Sequence, residues 1–225
     1  MRGALSRQLL RTLRTIYFES RALCFTMFGL LKVRTVGTCM RNLEIGAGNS
    51  TRKAGFVTCD LSFKSDFPFD LRGGLPFRTE SMEIIYAEHV LEHFSYKELT
   101  VLLKECYRVL VPGGKINIVV PDAGIFIQAY GDDREFDREK LCLYDWGLSF
   151  RQKIDYLNYI FYMDGHHRHM FDREGIMHVL EDHGFCGVTL RDFDPGFDLD
   201  RRRHESIYVL GTKPPETSFG CAPGD

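Results

Sequence analysis

The sequence predicts an α/β fold with a mainly parallel sheet. Short β-rich runs alternate with longer amphipathic runs, and turns rich in glycine or proline separate them. A chain of 225 residues fits one domain, or one domain with an appendage, and can bury roughly 70% of its unfolded surface. With 44% apolar and 27% charged residues, the composition is that of a soluble globular protein. It excludes collagen-like, low-complexity and wholly disordered chains.

Residues 4–31 are predicted to form the first helix, which ends near Gly37. Residues 1–34 carry a net charge of +6 and leave −8 for the rest of the chain. Three interpretations of this helix stay open: it packs on the domain, it lies on an anionic membrane surface, or it is a mitochondrial targeting segment. The targeting interpretation rests on the absence of any acidic residue before Glu19. The basic residues Arg7, Arg11 and Arg14 lie opposite an apolar arc of Leu5, Leu9, Leu13, Ile16, Leu23, Met27 and Leu31.

The remaining elements follow in order. Strands are predicted at 41–45, 56–60 and 82–87, a helix at 96–110, and a buried strand at 115–120. Residues 123–163 are aromatic and mostly helical, and a helix at 172–183 has Asp172 as its N-cap and Gly184 at its end. Two closing strands are expected around 187–193 and 205–212. The predicted organisation is a basic helix at 1–36, a domain at 37–213 with a helical cap over the substrate at 123–171, and a disordered tail at 214–225.

The seven cysteines form no CxxC pair and no close Cys/His spacing, so a reducing compartment and a cytoplasmic location are expected. No run of 18 apolar residues is present, which excludes a transmembrane helix at the sequence level. The charge of the domain is acidic, so nucleic acid is not an expected partner.

Ligands of parallel sheets bind beyond the carboxyl ends of the strands, so the turns there are the places to look for chemistry. Gly46 and Gly48 follow the first strand and allow the backbone to approach a ligand closely, although they also suit an ordinary tight turn. A dinucleotide fingerprint would have a third glycine at position 51, where Thr51 stands. Asp60 ends the next strand, where a carboxylate can accept hydrogen bonds from a ribose diol or cap a turn.

Further motifs follow in a fixed order: Asp70-Leu71, the segment LPF at 75–77, IIYAEHVLEH at 84–93 and RVLVPGGK at 108–115. Together with the glycine turn and Asp60, this ordered set resembles the class I S-adenosylmethionine-dependent methyltransferases over about residues 41–212. Within them it is most similar to small bacterial enzymes of the methyltransferase type 11 kind, which are associated with glycan biosynthesis. None of the motifs alone is as specific as their order.

The resemblance implies a Rossmann-like methyltransferase fold with a mainly parallel seven-stranded sheet, an antiparallel last strand and helices on both faces. The implied cofactor is S-adenosyl-L-methionine. The resemblance implies that the methionine part of the cofactor contacts the turn with Glu44, Gly46, Ala47 and Gly48, and that the ribose contacts Asp60 and Leu61. It also implies that the adenine ring lies near Asp70 and Leu71, and that Ala87 and Glu88, at the end of the fourth family strand, pass beneath the cofactor.

One departure from the family lies between Gly48 and Asp60, where about a dozen residues leave no room for a full crossover helix. A single turn or an extended link fits there, so the geometry of residues 49–53 is open. The methionine end of the cofactor is then less enclosed, unless the N-terminal helix covers it.

The cofactor carries an activated methyl group, so the protein mainly has to align a nucleophile behind it. A hydroxyl acceptor also benefits from a base, and four candidates are His89, Asp122, His167 and His169. The alternatives are that His89 packs under the sheet, that Asp122 caps a helix, and that the loop 164–171 is structural. No metal is predicted, because no carboxylate or cysteine lies at ligand spacing from the loop histidines.

The expected function is methyl transfer to a hydroxyl of a small molecule or of a sugar or glycan in polysaccharide biosynthesis. The aromatic residues of 123–163 suit a sugar ring, but the core of a helical cap is favoured. Two alternatives remain: a binding protein that keeps the fold without turnover, and a nicotinamide-dependent oxidoreductase. Thr51 and the lack of a Tyr-x-x-x-Lys pair beside a plausible catalytic serine count against the oxidoreductase.

Overall fold

The computed structural model describes residues 2–36, 40–48, 53–131 and 136–216. A seven-stranded sheet in the order β3-β2-β1-β4-β5-β7-β6 forms its centre, and β7 is antiparallel to both of its neighbours. The fold class is therefore as predicted. The strands are β1 (Asn42–Ile45), β2 (Phe56–Asp60), β3 (Phe67–Pro68), β4 (Met82–Glu88), β5 (Leu110–Pro121), β6 (Cys186–Leu190) and β7 (Ser206–Thr212).

Helices connect and cover these strands. They are α1 (Arg2–Val36), α2 (Tyr96–Val109), α3 (Ala123–Gly131), α4 (Arg138–Leu141), α5 (Ile154–Tyr162) and α6 (Arg173–Asp182). Ser95 and Glu98 form a capping box at the start of α2, and the Asp172 carboxylate accepts the Gly175 N–H at the start of α6. The apolar faces of α2 and α6 pack with one face of the sheet in the main core.

The location of the functional site follows from the strand order. β1 lies between β2 and β4, and the chain therefore leaves β1 and β4 in opposite directions across the sheet. This is the switch point at which such sheets leave a crevice beyond their carboxyl ends. The turn after β1 and the residues after β4 meet there, so the predicted motifs come to one edge of the sheet.

Helix α1 is present, and the side of it that faces the domain is not the apolar arc. Ala22 and Phe25 are buried at 3% and 2% exposure, and a Cβ at Gly29 would lie 2.2 Å from the Pro68 carbonyl oxygen. The small residues thus allow α1 to approach β3 closely. The apolar arc is exposed; the members whose side chains are described are Leu9, Leu13, Ile16, Leu23, Met27 and Leu31.

Residues 123–163 form a second, smaller core. Phe126, Tyr159 and Ile160 are buried in it, α3 and α5 pack against each other, and most of the nearby aromatic rings are partly buried. Their arrangement matches the core interpretation of the aromatic residues.

Two further differences concern local segments. β5 begins at Leu110 rather than near residue 115, because the Pro112-Gly113-Gly114 segment continues the strand through a register shift against β4. The short strand β3 was not predicted. The open questions at residues 49–52 and the predicted disorder beyond residue 216 lie outside the described residues. Among the described helices, none is long and apolar enough to cross a membrane.

Candidate active site

The turn after β1 and the end of β2 converge at the edge of the sheet. The Gly48 N–H donates to Asp60 Oδ2 at 2.6 Å, and the Gly46 N–H donates to the Cys59 carbonyl at 2.9 Å. Gly46 has φ +68°, and a Cβ there would lie 2.3 Å from Val90 Cγ2. Glycine is therefore required at 46, both for its backbone conformation and for the close packing against Val90.

Asp60 stands at one end of a cleft of about 370 Å³. Burial raises the pKa of its carboxyl, while the N–H groups of Gly48 and Leu61 favour the ionised form. The structure brings together four of the residues predicted at the nucleoside end, since the cleft is lined by Phe18, Gly46, Asp60, Leu61, Asp70, Leu71, Arg72, His89, Val90, His93 and Phe94.

Asp70 borders this cleft but is held by protein groups. Its carboxylate accepts the Arg72 backbone N–H at 3.0 Å and the guanidinium at 2.6 Å. Arg72 also donates to Glu19 of α1 at 2.9 Å and lies over the Phe18 ring. Sequence reasoning missed this cluster, through which α1 reaches the nucleoside end and not the methionine end of the cleft.

A second cleft of about 600 Å³ continues from the first, since Gly46 and His89 border both. It contains the residues predicted at the methionine end, together with two arginines that no sequence motif marked. Its lining residues are Glu44, Ile45, Gly46, Ala47, Gly48, Glu88, His89, Leu199, Arg201 and Arg202. The two clefts together form an extended trough, in which carboxylates and arginines stand side by side at both ends.

The two glutamates at the methionine end share one cation. Lys53 Nζ lies 3.8 Å from Glu44 Oε1 and 3.9 Å from Glu88 Oε2, above the ring of Tyr86. Burial raises the pKa of the Glu44 carboxyl, and Lys53 opposes that rise. Glu88 also accepts the Tyr86 hydroxyl at 2.9 Å. Ala87, which was predicted at the cofactor, is fully buried in the main core and borders neither cleft.

His89 borders all three clefts of this region. It has φ +52°, its N–H donates to the Val119 carbonyl, and its Nε2 lies 2.8 Å from Ser206 Oγ. Burial lowers the pKa of its imidazole well below the usual value, and the positive charge of Arg202 adds to this. The imidazole is therefore neutral at pH 7. Its ring partner is the Ser206 hydroxyl of β7.

The third cleft has a volume of about 150 Å³ and meets the other two at His89 and His93. The His167 Nδ1–H donates to the Ile160 carbonyl at 2.6 Å, and burial lowers the pKa of this imidazole to about 4. Aromatic, imidazole and charged groups line the cleft: His89, Glu92, His93, Pro121, Tyr144, Trp146, Ile160, Met163, His166, His167, Arg202 and Glu205.

Glu92 is a buried acid on the same cleft. It is 0% exposed, and neither carboxylate oxygen has a hydrogen-bond partner in the described part of the chain. The nearest imidazole nitrogens are His89 Nδ1 at 3.5 Å and His93 Nε2 at 3.9 Å. Burial raises the pKa of Glu92 to about 8 and that of Glu205, on the same cleft, to about 7.

Two of the four predicted bases lie elsewhere. The Asp122 carboxylate accepts the Gly124 N–H at 2.9 Å at the start of α3 and faces Arg173, as the capping interpretation expected. His169 packs its ring against Phe171 and Tyr96, because its N–H is tied to the Glu92 carbonyl. Neither borders the three clefts described above.

Comparison with known families gives one match. Residues 55–118 match the family described as a methyltransferase domain. No curated protein matches the chain. The family match covers 64 of the 225 residues and supports the predicted class I methyltransferase, an enzyme whose cofactor is S-adenosylmethionine.

Solved structures resemble the chain only distantly. One is a methyltransferase from Thermotoga maritima described as a possible histamine N-methyltransferase, with 16% identity, a TM-score of 0.47 and coverage of 90% of this chain and 95% of that one. A second is a phosphoethanolamine N-methyltransferase from Haemonchus contortus, with 14% identity, a TM-score of 0.48 and coverage of 84% of this chain and 52% of that one. A third is a methyltransferase from Methanosarcina mazei, with 14% identity, a TM-score of 0.48 and coverage of 78% of this chain and 92% of that one.

Proposed function

We propose that this class I S-adenosylmethionine-dependent methyltransferase transfers its methyl group to a hydroxyl oxygen of a small polar molecule, with a sugar or glycan as the first choice. The observation that carries the proposal is the position of His89, which borders both cofactor clefts and the third cleft. A molecule bound in the third cleft would meet the cofactor there. We therefore assign the third cleft to the acceptor.

The chemistry of the acceptor cleft favours oxygen. A hydroxyl must lose its proton as it attacks the methyl carbon, and the buried, neutral imidazole of His89 can accept a proton. The new O–C bond forms as the C–S bond breaks, the sulfur keeps the bonding pair, and S-adenosylhomocysteine leaves. The imidazole then releases its proton to water, which restores the enzyme.

The walls of the acceptor cleft suit a polyol. Trp146 offers a flat apolar ring, which can lie against the C–H face of a sugar. Arg202, whose guanidinium donates to the Tyr144 hydroxyl at 3.1 Å, and Glu205 supply polar groups for hydroxyls. These groups support a small polar acceptor over a long apolar one.

The direct test uses S-adenosylmethionine with a 13C-labelled methyl group and a panel of acceptors. Monosaccharides, nucleotide sugars and oligosaccharides are compared with histamine and phosphoethanolamine, and the carbon shift of the product distinguishes O-methyl from N-methyl. Label on oxygen supports the proposal. Label on nitrogen or carbon contradicts the oxygen acceptor while leaving the methyltransferase activity intact.

The role of His89 is tested by His89→Asn, because asparagine tolerates positive φ and keeps a polar partner for Ser206. Turnover should fall by about 10²- to 10⁴-fold, while the affinity for S-adenosylhomocysteine stays within about threefold. His178→Ala, on the exposed side of α6, is the control. Unchanged turnover in His89→Asn would remove this imidazole from the mechanism.

We also propose that α1 lies on an anionic membrane surface. Eleven large apolar side chains of α1 are more than 40% exposed: Leu9, Leu10, Leu13, Ile16, Tyr17, Phe18, Leu23, Met27, Phe28, Leu30 and Leu31. The segment also carries a net charge of +6. Apolar burial combined with attraction of basic residues to anionic headgroups is the energetic basis of interfacial helices.

Sedimentation with liposomes tests this, with phosphatidylglycerol in one set and phosphatidylcholine alone in the other. Ile16→Glu and Thr15→Glu change the charge equally, but position 15 lies outside the apolar arc. Losing the burial of one isoleucine costs about 1.5–3 kcal/mol, so Ile16→Glu should weaken binding about 10- to 100-fold more than Thr15→Glu. Equal effects, or no preference for the anionic liposomes, would contradict the proposal.

A further inference from the structure

The acceptor cleft holds three side chains that can ligate a metal ion. One ligand atom from each of Glu92, His93 and His167 lies within 4.8 Å of the other two. The residues come from the turn after β4 and from the loop after α5, which are more than 70 positions apart in sequence. The linear spacing of the loop histidines therefore could not reveal the nearby carboxylate.

Both imidazoles are held in the orientation that metal ligands require. A carbonyl oxygen can only accept, so His93 Nδ1 carries the hydrogen that it donates to the His166 carbonyl at 3.0 Å. His167 Nδ1 likewise donates to the Ile160 carbonyl. In the neutral ring each Nε2 is then left with its lone pair. A hydrogen bond of this kind from the second ring nitrogen fixes the tautomer and orientation of metal-ligating histidines.

Glu92 provides the independent observation. It is fully buried, and its two oxygens have no hydrogen-bond partner among the described residues, although buried carboxylates normally have several. Its Oε1 lies 3.9 Å from His93 Nε2. A bare carboxylate beside two oriented imidazoles is explained if a cation completes the site.

We propose that Glu92, His93 and His167 bind a divalent ion of the zinc type in the acceptor cleft. Two imidazoles and one carboxylate with an open position are the ligand set of catalytic zinc sites. Zinc bonds of about 2.0–2.1 Å require the three donor atoms to close in by roughly an ångström. His93 is exposed on the cofactor cleft, so an ion has a path of entry.

The ion would act on the acceptor. This role rests on the proposed function: the three ligands line the cleft that we assign to the acceptor hydroxyl, and a bound cation lowers the pKa of an oxygen ligand. His89, which is not among the three ligands, stays available to take the proton. Arg202 is a competing positive charge on the same cleft, and Glu205 offsets it.

The test begins with metal alone. Protein stripped with a chelator and dialysed is titrated with Zn²⁺ by calorimetry and with Co²⁺ by absorption spectroscopy. We expect one equivalent to bind, with the visible bands of nitrogen and oxygen ligation and without the intense near-ultraviolet bands of thiolate ligation. The affinity should fall at least about 100-fold in Glu92→Gln and in His167→Ala, and His178→Ala should match the wild type.

Binding of S-adenosylhomocysteine is measured on every variant as the fold and cofactor control. His93→Ala is included because this partly exposed side chain can be replaced with little effect on packing. If the wild type binds no metal, the metal site is overturned. The proposed function still stands in that case, provided that the protein binds the cofactor and transfers the methyl group. Binding that survives in all three ligand variants, or that shows thiolate bands, also overturns it.

Discussion

Replacing the carboxylate of Asp60 by an amide tests the cofactor site most directly. The Gly48 N–H donates to Oδ2 at 2.6 Å and the Leu61 N–H also stabilises the carboxylate, whose remaining lone pairs are expected to accept from the ribose hydroxyls. In Asp60→Asn the amide oxygen can keep the bond to Gly48, and the NH₂ group then faces the ribose and cannot accept from it. The variant loses a hydrogen bond to a charged group, which contributes about 1.5–3 kcal/mol.

This loss corresponds to about 10- to 150-fold weaker binding. S-adenosylmethionine and S-adenosylhomocysteine share the ribose, so calorimetry should give the same factor for both. The exposed Asp182→Asn is the matched control and should bind both as the wild type does. Because burial already raises the pKa of Asp60, the unliganded variant should unfold at or above the wild-type temperature. A folded Asp60→Asn protein with wild-type affinity, or a loss confined to one of the two ligands, would refute the assignment of Asp60 to the ribose.

Three further predictions concern the surroundings of the trough. Gly46→Ala places a Cβ 2.3 Å from Val90 and should lower the free energy of unfolding in urea by about 1–3 kcal/mol, part of which Val90→Ala should restore; an unchanged unfolding curve would contradict the packing argument. Burial raises the pKa of Glu205 from its ordinary 4.5 to about 7 in the fold, so its protonated form favours folding. The free energy of unfolding should therefore fall as the pH rises from 4.5 to 7, and Glu205→Gln should reduce that fall; identical pH profiles would argue against it. Arg72→Ala removes the contacts with Glu19 and should increase amide hydrogen exchange in α1 with little change in α2, whereas unchanged exchange would show that this cluster does not hold the helix.

Much of the sheet could be predicted because its strands carry the signal in their own residues. The run 56–60 is β-rich and ends in an acid, and it is β2 in the structure. The convergence of Gly48 and Asp60 was also predictable, since the carboxyl ends of parallel strands meet at one edge. The side of α1 that packs was not, because periodicity identifies an apolar arc without saying what covers it. The face that meets β3 contains Ala22 and Gly29, which add little to any apolar pattern.

The acceptor cleft was the least predictable part of the site. His167 was singled out because three histidines stand close together, but Glu92 and Arg202 reach the same cleft from distant segments. Only the folding of the loop after α5 onto the turn after β4 brings them together, through the N–H groups of Arg168 and His169 on the Glu92 carbonyl. No local spacing carries that information.

The position of Phe18 has a consequence for the whole chain. This side chain belongs to α1 and also forms part of the wall around the nucleoside end. Packing of the helix and binding of the cofactor are therefore reciprocally linked: if the cofactor prefers the packed helix, it must strengthen that packing by the same factor by which the packing strengthens its own binding. An event that lifts the helix from the domain would weaken cofactor binding, and cofactor binding would hold the helix in place.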